Sequence, residues 1–231
     1  QILQALDEKN IREHTLVIFT SDNGCSPRAN FAELEKMGHH PSYVFRGHKA
    51  DIFEGGHRIP FLVRWPEKIT APEIIHQTIC LTDFMATCAD LLGVPLPDNA
   101  AEDSVSFLPL LFKTNDETRL REAIIHHSIH GDFSIRKGKW KLEMCPGSGG
   151  WSFPKPGSEE EKDLPPIQLY DLESDVGETT NLYSDYPEVV KELEELLTHY
   201  IKKGRSTAGK PQSNDPPQHW KQLWWIENDA I

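Results

Sequence analysis

No stretch of this 231-residue sequence is apolar enough for a membrane-spanning helix, which takes about 20 consecutive apolar residues. Mean hydropathy is −0.51, so the chain is polar on average. Nor do Cys25, Cys80, Cys88 and Cys145 show a C-x-x-C pair or a zinc-finger spacing, which removes sulfur ligation of a metal as an organising device. Their even number permits disulfides without requiring them. Positive charge is scarce too: 24 basic residues face 36 acidic ones, for a net charge of −12. Short basic stretches such as Arg136-Lys137-Gly138-Lys139 do not make a stripe, so nucleic acid and anionic membrane are poor partners. An anionic substrate would need locally concentrated positive charge, from a metal or from a few Lys, Arg or His.

What is present can bury a full core, as one large domain or a large one with a small one. Gln1–Leu6 reads as the apolar face of a helix already under way, so the sequence is expected to be a fragment lacking an N-terminal portion. Thr15–Thr20 is a short apolar, β-branched run, the pattern of a strand buried on both faces in a parallel sheet. A second such run is Ile59–Trp65, stopped by Pro66. Thr82–Leu92 reads as a helix with Thr82 as its cap, Phe84, Cys88 and Leu91 on one face, and Gly93 at its end.

From Ala123 the pattern changes to short strands: Ala123–His127, Phe133–Arg136, Trp140–Met144 and Ile167–Leu172, with Lys137-Gly138-Lys139 suited to a hairpin. Pro187–Lys203 is amphipathic, with Val189, Val190, Leu193, Leu196, Leu197 and Ile201 on one stripe. Glu188 at its start and Lys202-Lys203 at its end suit the helix dipole. Together these predict residues 1–115 as part of an α/β domain, 116–204 as a small α+β subdomain, and 205–231 as a tail docked through Trp220, Trp224 and Trp225.

Ser21-Asp22-Asn23-Gly24 follows the first strand, where sites form in open α/β sheets. One charged and one neutral oxygen donor suit a hard cation, Ca²⁺ or Mg²⁺. The same letters are also good turn chemistry. Downstream, Phe45-Arg46-Gly47-His48-Lys49-Ala50-Asp51-Ile52-Phe53-Glu54-Gly55-Gly56-His57-Arg58-Ile59-Pro60 concentrates cationic residues in an otherwise acidic chain.

Read together, S-D-N-G, G-x-K and E-G-G-x-R-x-P at this spacing resemble the second half of the type I, formylglycine-dependent sulfatases, of the arylsulfatase and N-acetylgalactosamine-6-sulfatase kind. Thr82–Gly93, Ile135–Leu142, and Leu169–Glu173 with Gly177-Glu178-Thr179 and Asn181-Leu182 extend the likeness over nearly the whole chain. The resemblance implies an alkaline-phosphatase-like α/β superfold fragment, part of a mostly parallel sheet with helices, followed by a small antiparallel sheet and a C-terminal helix. It implies Asp22 and Asn23 as ligands of Ca²⁺, with Mg²⁺ the alternative, and Lys49 as the contact to a sulfate oxygen. His48 and His126 (or its neighbour His127) are the substrate-pocket candidates. It also implies a sulfated small molecule or glycan as partner and a periplasmic or extracellular setting.

One element departs from the family. Sulfatases make formylglycine from Cys or Ser in C-x-P-x-R, whereas Cys25-Ser26-Pro27-Arg28 lacks a residue and follows S-D-N-G. Cys25 is therefore read as a loop thiol, with the formylglycine expected in the missing N-terminal half and this chain alone expected to be inactive. Two alternatives stay open: a phosphoric ester hydrolase of the same superfold, which tends to carry His and zinc where Asn23 stands, and a non-catalytic domain binding sulfated glycans.

Overall fold

The computed structural model describes residues 1–69, 72–112, 119–214 and 220–226. It divides into two compact units, Gln1–Asp22 with Ile59–Arg121 and Asn23–Arg58 with Glu122–Ile231. The domain boundary expected at residue 115 lies outside the described residues.

In the first unit, α1 (Ile2–Glu8) precedes β1 (Val17–Thr20), which pairs with β2 (Phe61–Arg64). The pairing corrects one expectation. β1 and β2 run antiparallel, and the facing residues Phe19 and Leu62 are each 62% exposed, so among the described residues β1 is neither flanked by a parallel strand nor buried on both faces. An apolar run specifies extended backbone, not the direction of its neighbour. Phe61 turns the other way, with ring centroids 5.9 Å from Phe84 and 5.4 Å from Phe107.

Phe84 stands on α2 (Asp83–Leu92), which differs from its predicted face. Asp83 and Thr87 are the buried residues, while Cys88 is exposed and Leu91 is 37% exposed. Hydrogen bonds decide this: Asp83 accepts from the backbone of Cys80 at 2.9 Å and Val105 at 3.0 Å, and Thr87 Oγ1 accepts from Phe107 N at 3.0 Å. The Thr82 side chain, expected as the cap, makes no capping bond, and Asp83 also pairs with Arg121.

The second unit is built on a four-stranded sheet, β3 (Ile124–His127), β4 (Phe133–Lys137), β5 (Trp140–Glu143) and β6 (Gln168–Asp171), in sequential antiparallel order. Register sorts its faces, because residues directly opposite point the same way. One row runs Ile125–Ile135–Leu142–Leu169 and packs on α3 (Pro187–Lys203) through Val190, Leu193, Leu197 and Tyr200. Full burial of Leu193 and Leu197 contributes about 1.5–3 kcal/mol each. The tail joins the same core: Trp225 Nε1 donates to Thr198 Oγ1 at 3.0 Å and Trp224 Nε1 to the Met144 carbonyl at 3.2 Å. Among the described residues no helix is long and apolar enough to cross a membrane.

The alternate rows, Arg136–Lys141–Tyr170 and His126–Ser134–Glu143–Gln168, occupy the opposite face. That face carries the site.

Candidate active site

The polar face of the sheet is covered by residues 45–58. Ile52 and Phe53, both at 0% exposure, join Cys145, Tyr170 and Leu172 in a small second core. Charges buried beside it fix the segment. Lys141 Nζ lies 2.6 Å from Glu178, 3.1 Å from Glu143 and 3.3 Å from Glu54, and it donates to the Ile52 carbonyl at 2.9 Å. Glu178 in turn accepts from Glu54 N at 2.7 Å. Burial alone would raise the Glu54 carboxyl, but Lys141, Arg58 and Arg136 outweigh it and hold its pKa at about 2. Arg46 spans the same face, donating to Tyr170 Oη at 3.1 Å and the Glu178 carbonyl at 2.8 Å while stacking 3.9 Å from the centre of the Phe53 ring.

Against this platform runs the strip that begins at Asn23. Gly24 N donates to the Gly56 carbonyl at 2.9 Å, and Lys49 N to the Cys25 carbonyl at 3.0 Å. A Cβ at Gly24 would come within 1.8 Å of the Gly55 carbonyl oxygen, so glycine is required there for close backbone approach. The structure thus brings Asn23, Cys25 and Lys49 together within one unit. Asn23 Nδ2 donates to the Gly24 carbonyl at 2.9 Å, which sets the orientation of its amide. Asp22 is exposed, Ser21 Oγ lies 3.5 Å from its carboxylate, and it closes the other unit.

Lys49 is half-buried. The neighbouring cations are engaged: Arg58 and Arg136 with Glu54, Lys141 with three glutamates, and Arg46 with Tyr170 and Glu178. Among the described residues no carboxylate lies within ion-pair distance of Lys49 Nζ, despite the chain's net charge of −12.

The two histidine candidates occupy different places. His48 is tied into the loop, its N–H donating to Asp51 Oδ2 at 2.8 Å, its Nδ1 3.3 Å from the same oxygen, and its ring edge-on to Phe31. His126, on β3, has Nε2 3.2 Å from the Ile52 carbonyl and its ring centroid 4.1 Å from that of His57. Burial, then His57 and Lys141, push His126 well below the usual imidazole range. Burial and Lys141 likewise lower His57 to about 4. Both rings are neutral near pH 7 and can serve only as neutral hydrogen-bonding groups.

Cation chemistry can be tested on the donor set. Asp22 supplies a carboxylate oxygen and Asn23 an amide oxygen, which fits a hard ion such as Ca²⁺ or Mg²⁺ and not zinc. Among the described residues no cluster of three or more His, Cys, Asp and Glu is arranged to hold a metal.

Sequence reading missed Asp51, Glu54, His57, Lys141, Glu143 and Glu178. The available signal was weak: Lys141 and Glu143 sit two apart on one strand, which places both on one face. Nothing in the letters says that the face is covered.

An α/β fragment leading into a small antiparallel sheet under a C-terminal helix defines the alkaline-phosphatase-like fold class. Its solved relatives share that class. A structure from work on glycosaminoglycan metabolism by Bacteroides thetaiotaomicron superposes with a TM-score of 0.72 at 34% identity, covering 86% of this chain and 41% of that one. The chain belongs to the sulfatase family, whose family model it matches over residues 1–94. An N-acetylgalactosamine-6-O-sulfatase of B. thetaiotaomicron is 36% identical over 203 residues, which is 85% of this chain and 38% of the relative. Human arylsulfatase A is 33% identical over 210 residues, 84% of this chain and 39% of the relative. The chain therefore spans about two fifths of the length of these relatives.

Proposed function

We propose that the intact protein hydrolyses a sulfate ester of a carbohydrate or aryl alcohol, and that this chain supplies one wall of the site. The observation that carries the reading is Lys49: a half-buried residue whose ammonium has no carboxylate partner among the described residues and whose backbone N–H is bonded to the carbonyl of Cys25, two residues after Asn23. An ammonium in that setting binds an anionic ester oxygen and stabilises the charge that shifts onto it as the S–O bond breaks. Asp22 and Asn23 would hold Ca²⁺, or Mg²⁺, whose positive charge neutralises sulfate oxygens. The formylglycine that provides the nucleophile in this family lies outside the chain. Neutral His126, or His48, would meet hydroxyl groups of the alcohol portion. The substrate in this reading is a sulfated sugar, of the N-acetylgalactosamine 6-sulfate kind that the name of the 36%-identical relative supports, and the setting is periplasmic or extracellular.

Sulfate release from N-acetylgalactosamine 6-sulfate and from an aryl sulfate, with phosphate release from an aryl phosphate in parallel, tests the reading on the intact protein. Sulfate release at least an order of magnitude faster is expected. Dominant phosphate release supports the phosphoric ester hydrolase, and no release of either supports a glycan-binding domain. For the metal, Asp22→Ala should lower calcium content measured by elemental analysis of the intact protein; unchanged stoichiometry removes Asp22 from the ligand set.

Cys25 is engaged through its carbonyl, which any residue provides, while its Sγ lies 3.9 Å from the Ser26 carbonyl. Cys25→Ala should accordingly keep most sulfatase activity. A formyl group found at position 25 by mass spectrometry, with turnover lost in the variant, would make it the nucleophile.

A further inference from the structure

The sulfatase reading leaves unexplained a second loop, Cys145-Pro146-Gly147-Ser148-Gly149-Gly150-Trp151-Ser152, that wraps the segment bearing Lys49. Residues Gly147–Gly150 are buried, and then Trp151 emerges with 43% of its surface exposed. The loop closes on itself through Ser148: its Oγ donates to the Ser152 carbonyl at 2.7 Å and accepts from Gly150 N at 3.1 Å. Gln168 Nε2 donates to the Cys145 and Gly147 carbonyls at 2.9 Å each, Ser148 N donates to the Pro154 carbonyl at 2.8 Å, and further anchors lie on the segment next to Lys49. Ile52 N donates to the Ser148 carbonyl at 2.8 Å. Asp51, at 0% exposure, accepts from Trp151 N at 2.7 Å and Ser152 N at 3.0 Å with one oxygen, and from His48 N at 2.8 Å with the other.

One buried carboxylate therefore fixes the backbones on which Lys49 and Trp151 are carried. Gly150 makes the approach possible, since a Cβ there would lie 2.4 Å from the Ala50 carbonyl oxygen and 2.6 Å from Asp51 Oδ1. Such a loop is too tightly held to be a passive connection. Leaving a large apolar ring in water gains nothing for folding, whereas a rigid indole offers a broad flat surface that loses little entropy on binding. Two nearby aromatics, Phe153 and Trp224, are exposed as well, but each has a polar neighbour: Lys155 Nζ lies 5.0 Å from the Phe153 ring centre, and Trp224 Nε1 donates to the Met144 carbonyl.

We propose that Trp151 is the platform for the sugar ring of the substrate, stacking against the C–H face of a pyranose whose sulfate is held by Lys49. The C–H groups of that face carry partial positive charge and complement the negative face of the indole. The assignment rests on the sulfatase reading for the anion, but not for the sugar. Asp51 acts as the positioning residue that holds cation and platform in register.

The test uses the intact protein, Trp151→Ala, Trp151→Phe and N-acetylgalactosamine 6-sulfate. In kinetics the Ala variant should raise KM about tenfold or more, the scale of a lost ring stack, with kcat within about threefold. Phe should restore most of the loss, and melting temperatures should stay close to wild type because the side chain is exposed. An unchanged KM in the Ala variant, or a KM effect accompanied by collapse of the melting temperature and no recovery with Phe, overturns the proposal. Calorimetric titration with unsulfated N-acetylgalactosamine separates the two readings. If wild type releases no sulfate, the enzyme reading fails while sugar affinity still reports on Trp151: affinity weakened in the Ala variant supports the platform, and equal affinity in both proteins refutes it.

Discussion

Lys49→Ala in the intact protein should lower kcat/KM for a sulfate ester by about 100-fold or more, a loss of roughly 2.7 kcal/mol of transition-state stabilisation. The reason is the charge balance of the site. Arg58, Arg136 and Lys141 pair with buried glutamates and Arg46 is bonded to Tyr170 Oη and the Glu178 carbonyl, whereas among the described residues no carboxylate lies at ion-pair distance from the Lys49 ammonium. Its structural contribution is a backbone bond, Lys49 N to the Cys25 carbonyl, which alanine retains. The melting temperature should therefore hardly move. Lys49→Arg should recover only part of the rate, because a planar guanidinium directs its donors differently from a compact ammonium. Steady-state kinetics beside thermal melts of both variants decide the matter. Near-normal turnover in Lys49→Ala, or a fall in melting temperature large enough to account for the lost rate, would make Lys49 a structural residue.

Which parts of this molecule were legible follows from how local their causes are. Strands β3 to β6 and helix α3 could be read because their apolar residues recur at the periods their own backbones impose, and Ile135, Leu142, Leu169, Leu193 and Leu197 do form the core. The S-D-N-G and G-x-K elements were legible as letters, and the structure adds why Gly24 is glycine: the Gly55 backbone passes against it. The partner of β1 was not legible, since Val17–Thr20 has the same composition whichever way its neighbour runs. Nor was the buried face of α2, where Asp83 and Thr87 displace the apolar Cys88 and Leu91 because they serve the backbone of residues 105–107. Lys141 and Glu143 were hidden for the opposite reason. A polar–apolar alternation along a strand reads as one solvated face, and only the return of residues 45–58, distant in sequence, makes that face an interior.

Because that interior is charged, Lys141 is the residue whose loss should cost most in stability. Its ammonium, at 0% exposure, faces Glu54, Glu143 and Glu178, and those three carboxylates also meet the sheet and the segment that carries Lys49. Burial works against the charged form of Lys141, but Glu143, Glu178 and Glu54 together raise its pKa above the usual lysine range, so it stays protonated. Burial raises Glu143 well above the usual carboxylate range, Glu178 adds to the rise, and Lys141 opposes both. Lys141→Met keeps most of the volume and removes the cation, leaving buried carboxylates uncompensated; breaking such an arrangement costs about 3–5 kcal/mol, or on the order of 10 °C in melting temperature. Acid unfolding gives an independent readout. Glu54 titrates at about 2 in the fold against 4.5 ordinarily, so its contribution is fully present above pH 4.5 and is lost as pH falls toward 2. His57, neutral down to about 4 against 6.5 ordinarily, takes up its proton more readily unfolded, so stability already declines as pH falls from 6.5 toward 4. Without Lys141 the Glu54 carboxyl loses the charge that lowers it most, so the acid loss attributed to it, which still begins near pH 4.5, should be smaller and should be complete at a higher pH than in wild type. Adding Glu143→Gln to Lys141→Met should recover part of the stability, since it removes one of the three carboxyl groups crowded around the lost lysine. Equal denaturant midpoints for wild type and Lys141→Met at pH 7, or a double variant no more stable than the single one, would show that the carboxylates neutralise one another by proton uptake and do not depend on the lysine.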